Sequence, residues 1–558
     1  MGAAVAVLWA PAPAGADVSA FPVPGMVTAT KGTQISFRGT PLPKLSNLSV
    51  IGSRSGRHTG RLLVHSDGQG ASLKLERPFL PGETVQVRTR LDIIGAREGD
   101  FSFRVGRRPP LKATRLGEPP GHGNGAVRRF VTRPDLVPPA VTINHRADGR
   151  SPGFVFLGAK GGRGQDGPMI IDDFGRVVWF RPMRNRELVT DFRTQIYRGK
   201  PVLTWWQGRL SGGDGRGEGV MYSDQYRPVK RVRMANGLHA DLHEFELTPQ
   251  GTALLIAYDT VLRPEGRVVQ GVVQEVEIDT GLVRFEWHSA GQIATAESFR
   301  ARPKGSGQWD YLHLNSVAPD ADGNFIVSAR QTSAVYKLSR RTGHVIWRLG
   351  GKRSDFRMGA GTRFAFQHDV HPQPDGSLTI FDNSANPPVR KRSRAITVVL
   401  DAKRKVATLR QALAHPANLL SATQGSTQAL PGGNVFVGWG SKRYFSEYDA
   451  NGRLVFDGQL APGNDSYRAY RLPWVGRPDV PPKLVRTGSK MLVSWNGATN
   501  VVTWQVLAGR SPSRLQPVAT VPYAGFETAL PRQTARYVAV QALDAAGAVL
   551  GTSRAVSR

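Results

Sequence analysis

Short apolar runs recur through the middle of the chain, and a glycine precedes each of them. Val, Ile, Leu and Phe dominate the runs and turn-forming residues separate them, which is the pattern of short buried β-strands. A second pattern, Asp-x-x-Gly-x-Val-x-Trp with degenerate versions, alternates with the first and adds further strands, for example at residues 173–179. The first pattern occurs six times, beginning at Gly153, Gly199, Gly251, Gly323, Gly376 and Gly433.

The two alternating patterns define a repeat of roughly 50 to 70 residues with about four short strands in each unit. A single unit of this kind cannot bury its apolar face alone, but six units can close into a ring in which each sheet packs against its neighbours. Closure also removes exposed strand edges. We therefore predict a six-bladed β-propeller over residues 151–462.

Alternation of apolar and polar residues also marks both ends of the chain. In residues 21–106 it predicts an immunoglobulin-like β-sandwich. Residues 481–558 carry Trp495 on an early strand and Tyr537 at the start of a late one, which is similar to a fibronectin type III module. Residues 107–150 are rich in Pro, Gly and Arg and are expected to form a linker. The predicted fold class is all-β.

Three histidines occupy the same position in successive repeats. His243, His313 and His368 each lie six residues before the proline that precedes the glycine-opened strand. Equivalent positions on the strands nearest the axis of a propeller form a ring around its channel. We therefore expect the three imidazoles to converge at one mouth of the ring. His239 and His371 lie near them in sequence but out of register, and the sequence leaves open whether His239 or His243 belongs to the site.

Further polar residues share this register. Arg330, Tyr258 and Asn383 each lie seven residues after the repeat glycine, and Asn315 lies two residues after His313. The Arg guanidinium matches the oxygens of sulfate, phosphate or carboxylate, so beside three imidazoles it predicts an anion pocket. Because every candidate lies within the predicted propeller, that segment alone is expected to suffice for activity.

Net charge narrows the choice of partners. Seventy-four Lys and Arg against 43 Asp and Glu give +31, which favours anionic partners. The basic residues are spread over all segments rather than clustered with aromatics, so we do not expect nucleic-acid binding. Electrostatic association with an anionic cell envelope fits the charge. The chain has no cysteine, which excludes disulfides, thiolate metal sites and thiol nucleophiles.

The amino-terminal residues resemble part of a secretory signal. Residues 3–10 are apolar and are followed by Ala14-Gly15-Ala16, a small-x-small cleavage pattern, so residues 1–16 are expected to be removed on export. No later stretch approaches the roughly 18 apolar residues that a membrane-spanning helix needs. A secreted or envelope-associated protein is therefore expected.

The same residues also resemble the bacterial arylsulfotransferase family. The resemblance rests on residues 167–172, on residues 312–316 with Arg330, and on residues 367–368 with 381–383, and it extends over the whole predicted propeller. It implies an exported six-bladed propeller that moves a sulfuryl group from an aryl sulfate ester to a phenol. It further implies a sulfated histidine as the intermediate and no nucleotide sulfate donor.

By this resemblance His368 is the nucleophile, and the other pocket residues are His243, His313, Asn315 and Arg330. The implied partners are a small-molecule aryl sulfate donor and a phenolic acceptor, with no cofactor and no metal. The chemistry of these side chains agrees, since a neutral imidazole can attack sulfur and a neighbouring histidine can protonate the departing phenolate. Arg330 and Asn315 would hold the sulfuryl oxygens as charge develops.

Three other functions fit parts of the pattern. Three imidazoles can ligate zinc or iron, although the neighbouring guanidinium would repel a cation. The Thr-Gly-x-Val-x-Trp hairpin resembles quinone-dependent dehydrogenases, but the Trp is missing from several repeats. A non-catalytic exported propeller that binds an anionic ligand or glycan would fit the charge and the flanking sandwiches. Turnover of an aryl sulfate separates this last alternative from the transferase.

Overall fold

The computed structural model describes residues 18–110, 124–184, 187–211, 214–488 and 490–558. The prediction of an all-β chain is confirmed, since the helices of these residues are three short 3-10 turns, Leu42–Lys44, Thr295–Glu297 and Pro431–Gly433. None of the helices in the described ranges could span a membrane. The predicted signal segment 1–16 and part of the predicted linker lie outside the described residues.

The amino-terminal module consists of two four-stranded sheets, ordered β1-β2-β6-β5 and β4-β3-β7-β8. Strand β7 alternates buried and exposed residues, so it presents one apolar face to the core between the sheets. The strands are β1 Ser19–Phe21, β2 Ile35–Arg38, β3 Ser49–Gly52, β4 Gly56–His58, β5 Gly60–Val64, β6 Gly70–Leu75, β7 Thr84–Arg88 and β8 Phe101–Arg104.

The central part of the chain forms six sheets. Its first thirteen strands are β9 Val141–Arg146, β10 Phe154–Lys160, β11 Gly167–Ile171, β12 Val177–Phe180, β13 Leu188–Tyr197, β14 Lys200–Ser211, β15 Asp214–Tyr222, β16 Pro228–Val232, β17 Phe245–Leu247, β18 Thr252–Arg263, β19 Gly266–Glu277, β20 Val283–His288 and β21 Gln308–Asp310. The remaining strands are β22 Leu314–Pro319, β23 Phe325–Ala329, β24 Ala334–Leu338, β25 Val345–Gly350, β26 Arg357–Met358, β27 His368–Pro372, β28 Leu378–Asp382, β29 Arg394–Asp401, β30 Val406–Leu413, β31 Ser426–Ala429, β32 Val435–Gly438, β33 Tyr444–Tyr448, β34 Leu454–Leu460 and β35 Asp465–Leu472.

From the inside outward, the sheets are β35-β10-β11-β12 (blade 1), β13 to β16 (blade 2), β17 to β20 with β21 (blade 3), β22 to β25 (blade 4), β27-β28-β29-β30-β26 (blade 5) and β31 to β34 with β9 (blade 6). Contacts between adjacent blades run around the whole ring, and the inner strands β31, β35 and β13 link blade 6 through blade 1 to blade 2. The arrangement is a closed β-propeller of six blades.

Two strands from opposite ends of the central segment close this ring. Strand β35 is the innermost strand of blade 1, and β9 is the fifth, outermost strand of blade 6. Neither belongs to the glycine-opened repeat, so both lie outside the predicted range 151–462, and β9 lies inside the predicted linker 107–150. The ring therefore spans residues 141–472.

The carboxy-terminal module also has two sheets, ordered β36-β37-β40 and β39-β38-β41-β42, with β43 added to β41. Trp504 is fully buried between them. The strands are β36 Lys483–Thr487, β37 Lys490–Ser494, β38 Thr503–Ser511, β39 Arg514–Pro522, β40 Glu527–Leu530, β41 Tyr537–Leu543, β42 Val549–Thr552 and β43 Val556–Ser557.

Both end modules pack against the propeller. Phe21 of the first module lies 5.1 Å from Phe285 of blade 3, centroid to centroid, within a core that also includes blade 4. Asn496 of the last module exchanges two hydrogen bonds of 3.0 Å with the backbone of Phe180 in blade 1. A fragment limited to residues 151–462 would lack β35 and expose part of a shared core. Contrary to the expectation from sequence, that fragment is not expected to form a closed, functional ring.

Candidate active site

The three in-register histidines lie together at the end of the ring where the inner strands begin. His368 is the first residue of β27, His313 immediately precedes β22, and His243 lies two residues before β17. The ring centroid of His243 lies 5.1 Å from that of His313 and 6.4 Å from that of His368. His243 and His368 are buried and His313 is partly exposed. Blades 3, 4 and 5 thus each contribute one imidazole.

The two out-of-register histidines occupy other surroundings. His239 lines a separate cavity of about 440 Å³, formed by blade 2 and the segment that follows it. His371 bonds to Asp369, 3.2 Å away, on the inner strand of blade 5. Of the two candidates that the sequence left open, His243 is the one that contacts the other two imidazoles.

The hydrogen bonds of His368 define its tautomer. Its Nδ1 lies 2.7 Å from Oδ1 of Asn383, and the amide nitrogen of Asn383 donates to the backbone carbonyls of Ser421 and Gln424 at 3.1 and 2.9 Å. Since carbonyls only accept, the amide orientation is fixed, and Nδ1 must carry the proton. Nε2 therefore holds the lone pair, and it accepts a long hydrogen bond of 3.3 Å from the backbone N–H of Gln424.

Arg330 contributes positive charge beside this ring. Its NH2 group donates to the carbonyl of Ala422 at 3.1 Å, and its guanidinium carbon lies 5.3 Å from the ring centroid of Phe366. Its Nε is buried and has no hydrogen-bond partner among the described residues. Burial and then the charge of Arg330 hold the pKa of His368 well below its ordinary value. The nucleophile candidate is therefore neutral across the physiological range.

The other two imidazoles are each paired with an aspartate. Nδ1 of His313 lies 2.5 Å from Asp310, and Nδ1 of His243 bonds to Asp241. Burial would raise the pKa of Asp310, but the His313 ring holds it below its usual value. Burial lowers the pKa of His243 in spite of Asp241. Nearby, burial and then the carboxylates of Asp241 and Asp310 raise the pKa of Asp214 to about 7.

Asn315 ties the inner strand of blade 4 to the residue that precedes His368. Its amide nitrogen donates to the backbone carbonyl of Gln367, 2.6 Å away, directly before His368. Strand pairing is irregular between Leu314 and Ser316, and this bulge turns Asn315 away from the regular ladder. One N–H of the predicted sulfuryl-binding amide is thus used to position the peptide that carries His368.

A buried charge cluster lies beside the histidines on the inner strands. Arg468 of β35 lies 2.9 Å from both Asp191 and Glu244 and 3.0 Å from Asp369, so it joins carboxylates of blades 2, 3 and 5. It also donates to the backbone carbonyl of Asn315 at 3.2 Å. All four charged side chains are essentially inaccessible to solvent. This cluster fixes the inner strands relative to one another.

Sequence reasoning missed several residues of the site. Tyr467 of β35 places its ring centroid 5.5 Å from that of His243 and 6.4 Å from that of His368. The segment 421–425 holds Asn383, Arg330 and His368 through its backbone. Neither the strand nor the segment belongs to the repeat, so counting within the repeat could not find them.

The described residues include no group of three or more His, Asp or Glu side chains arranged to hold a metal ion. Nδ1 of each imidazole is already engaged, by Asp241, Asp310 or Asn383. What the arrangement offers is one neutral nitrogen nucleophile, a cation and two His–Asp pairs.

Comparisons with known proteins show what part of the central segment is similar to. The sequence model described as "Arylsulfotransferase (ASST)" matches residues 193–461. The chain matches no curated protein. Among solved structures, a Bacteroides caccae protein of unknown function is 14% identical, with a TM-score of 0.36 over 57% of this chain and 98% of that one.

A virginiamycin B lyase from Staphylococcus aureus is 10% identical, with a TM-score of 0.29 over 63% of this chain and 94% of that one. TM-scores of this size carry no argument about mechanism. The family match covers blades 3, 4 and 5 completely and includes all five predicted site residues. Through residues 193–461 the chain is therefore similar to the arylsulfotransferase family.

Proposed function

We propose that this protein transfers a sulfuryl group from an aryl sulfate ester to a phenol, and that His368 carries the group between the two. The proposal rests on the hydrogen bond from Nδ1 of His368 to Oδ1 of Asn383, 2.7 Å long, which leaves the lone pair on Nε2. A buried imidazole with a pKa far below neutrality keeps that lone pair free of a proton. The family match independently supports arylsulfotransferase chemistry in general.

In the first step, Nε2 of His368 forms a bond to sulfur while the bond between sulfur and the aryl oxygen breaks. The electron pair of the broken bond stays on the departing phenolate. His313, whose Nδ1 is paired with the carboxylate of Asp310, is placed to give that oxygen a proton from its ring. The weak hydrogen bond from Gln424 to Nε2 is released, and its N–H becomes free for a sulfuryl oxygen.

The sulfated ring keeps its proton on Nδ1 and is therefore a cation that bears a sulfonate. This charge strengthens the hydrogen bond to Asn383, since bonds with one ionised partner are about twice as strong as neutral ones. A cationic imidazole is also a good leaving group. The tautomer imposed by Asn383 thus favours both formation and breakdown of the intermediate.

In the second step, the acceptor oxygen forms a bond to sulfur, and the bond between Nε2 and sulfur breaks with its electron pair returning to the ring. The acceptor's proton passes to His313, which restores the starting state. Arg330, whose Nε is unpaired, offers a fixed cation to the sulfuryl oxygens in both steps. The net reaction consumes no cofactor.

The test is chemical quenching of the full chain with p-nitrophenyl sulfate and no acceptor, followed by mass spectrometry. We expect a gain of one sulfuryl group on the peptide that contains His368, and loss of that gain when phenol is added. His368→Asn should reduce transfer by several orders of magnitude without unfolding the protein, because it removes the attacking nitrogen.

His239→Asn is the matched control, since this histidine lies outside the cluster, and it should retain turnover. An adduct on another residue of an active enzyme would refute the assignment of His368. Binding of aryl sulfates without any turnover would instead support the non-catalytic propeller that binds anionic ligands.

We also propose identities for the two end modules. The sheet orders β1-β2-β6-β5 and β4-β3-β7-β8 support an immunoglobulin-like module, because they correspond to an A-B-E-D sheet facing one with C, F and G. The three-stranded and four-stranded sheets of the last module support a fibronectin type III-like module. Structures of the separate modules, compared with authentic examples of each class, would test both assignments.

A further inference from the structure

Tyr467 has a hydroxyl group that the described part of the chain leaves without a hydrogen-bond partner. The side chain is buried, and its oxygen has no hydrogen-bond partner among the described residues. Nearby tyrosines differ: the hydroxyl of Tyr258 donates to Leu314 at 2.5 Å, and that of Tyr470 donates to Asp191 at 2.9 Å. Because an unpaired buried hydroxyl costs free energy, its presence at a functional site calls for a ligand.

Other unpaired polar atoms lie around the same nucleophile. Nε of Arg330 and Oε1 of Gln424 are also buried and have no partner in the described part of the chain. Arg330 lowers the pKa of His368 by its charge, and the backbone of Gln424 contacts the His368 ring directly. The two unused donors, the Tyr467 hydroxyl and the Nε–H of Arg330, fit a ligand with several acceptor oxygens, which is what a sulfuryl group presents, whereas Oε1 of Gln424 can only accept.

We propose that the Tyr467 hydroxyl donates a hydrogen bond to a non-bridging sulfuryl oxygen while the group moves to and from Nε2 of His368. This inference rests on the function proposed above. Tyr467 keeps its own proton throughout, and the leaving phenolate takes its proton from His313. The hydroxyl therefore stabilises developing charge and does not act as an acid.

Two further observations agree with a donor role. Burial raises the pKa of Tyr467 well above its ordinary value, so the hydroxyl stays protonated in the working range even though Arg468 next to it acts in the opposite direction. Packing against His243 and His368 holds the aromatic ring in place without help from the hydroxyl. The hydroxyl can thus be removed without loss of any protein hydrogen bond.

The experiment is Tyr467→Phe in the full chain. We expect a melting temperature equal to or above that of the wild type, because no internal hydrogen bond is lost. The rate of sulfohistidine formation from p-nitrophenyl sulfate should fall by about 100-fold, the effect of removing one donor to developing charge.

Tyr448→Phe is the matched control. Tyr448 lies on β33 of blade 6, which contributes none of the three clustered histidines, and its hydroxyl donates to the carbonyl of Ala414 at 3.2 Å. This variant should melt at a lower temperature and keep the wild-type rate, which is the opposite of the result expected for Tyr467→Phe.

The outcomes separate this inference from the proposed function. If the wild type forms the adduct and Tyr467→Phe forms it at the same rate, the role of Tyr467 is wrong. A clear loss of melting temperature in Tyr467→Phe would also overturn it, because the hydroxyl would then have a partner within the protein. If the wild type forms no adduct at all, the proposed function itself has failed.

Discussion

Replacing Arg468 by methionine tests the buried charge cluster on the inner strands. The change removes the cation that contacts Asp191, Glu244 and Asp369 within 3.0 Å, while a side chain of similar length keeps much of the packing. Arg193 still lies 3.1 Å from Asp191 and 2.9 Å from Glu244, so it continues to compensate two of the three carboxylates. Asp369 keeps His371, whose pKa is raised by that carboxylate against the effect of burial.

Removing one partner of a buried ion pair costs about 3 to 5 kcal/mol, because a charge remains buried without compensation. With Arg193 still present, we expect a loss of unfolding free energy of about 3 kcal/mol at pH 8. The deficit should shrink as the pH falls towards 5. Carboxylates without Arg468 have a raised pKa in the folded variant, so the folded variant binds protons more readily than the unfolded chain.

Urea unfolding at pH 8 and pH 5.5, with comparison of midpoint and slope, measures both effects. Arg453→Met is the control, since this exposed arginine pairs with Asp449 at the surface and its loss should change stability little. The reasoning is refuted if Arg468→Met loses no more unfolding free energy than the control variant does. It is also refuted if the deficit grows as the pH falls.

Two further predictions follow from the titratable groups. His313→Asn should slow the first half-reaction by about 100-fold with phenyl sulfate but much less with p-nitrophenyl sulfate, whose phenolate leaves without a proton. Rapid-quench measurement of adduct formation with each donor checks this. Equal slowing for both donors would contradict the role of His313 as the acid. Burial and then Arg38 lower the pKa of His65 to about 4. The unfolded chain therefore binds more protons between about pH 6.5 and 4, so stability falls as the pH is lowered through that window. In the His65→Asn variant the melting temperature should fall less steeply than in the wild type as the pH is lowered through that window. A slope equal to that of the wild type would contradict this role of His65.

The register of the histidines could be predicted because each blade is built the same way. A proline and a glycine mark the turn after the inner strands of blades 3 to 6, so counting back from that turn finds the same axial position in blades 3, 4 and 5. His243, His313 and His368 were found in this way, and family resemblance added their roles. The all-β class followed from the same alternation of short strands.

The partners of these residues could not be found by counting. Asp241 and Gln424 lie in connections between blades, which differ in length and follow no period, and Asp310 ends β21, an additional strand of blade 3 that the repeat does not contain. Tyr467 and Arg468 lie on β35, which has no glycine-opened motif because it is paired by closure of the ring and not by a local hairpin. Only the three-dimensional pairing of β35 with β10 brings them to the centre.

Closure by β35 has a consequence for the order of folding. Arg471 bonds to the carbonyl of Gly153, 318 residues earlier in the chain. Closing a loop of that length costs about 5 kcal/mol of chain entropy before any contact compensates it. Local hairpins are expected to form first and the joint between the first and last blades near the end. Because β35 carries Tyr467, recovery of activity during refolding should coincide with this last joining step and not with the earlier gain of β-structure.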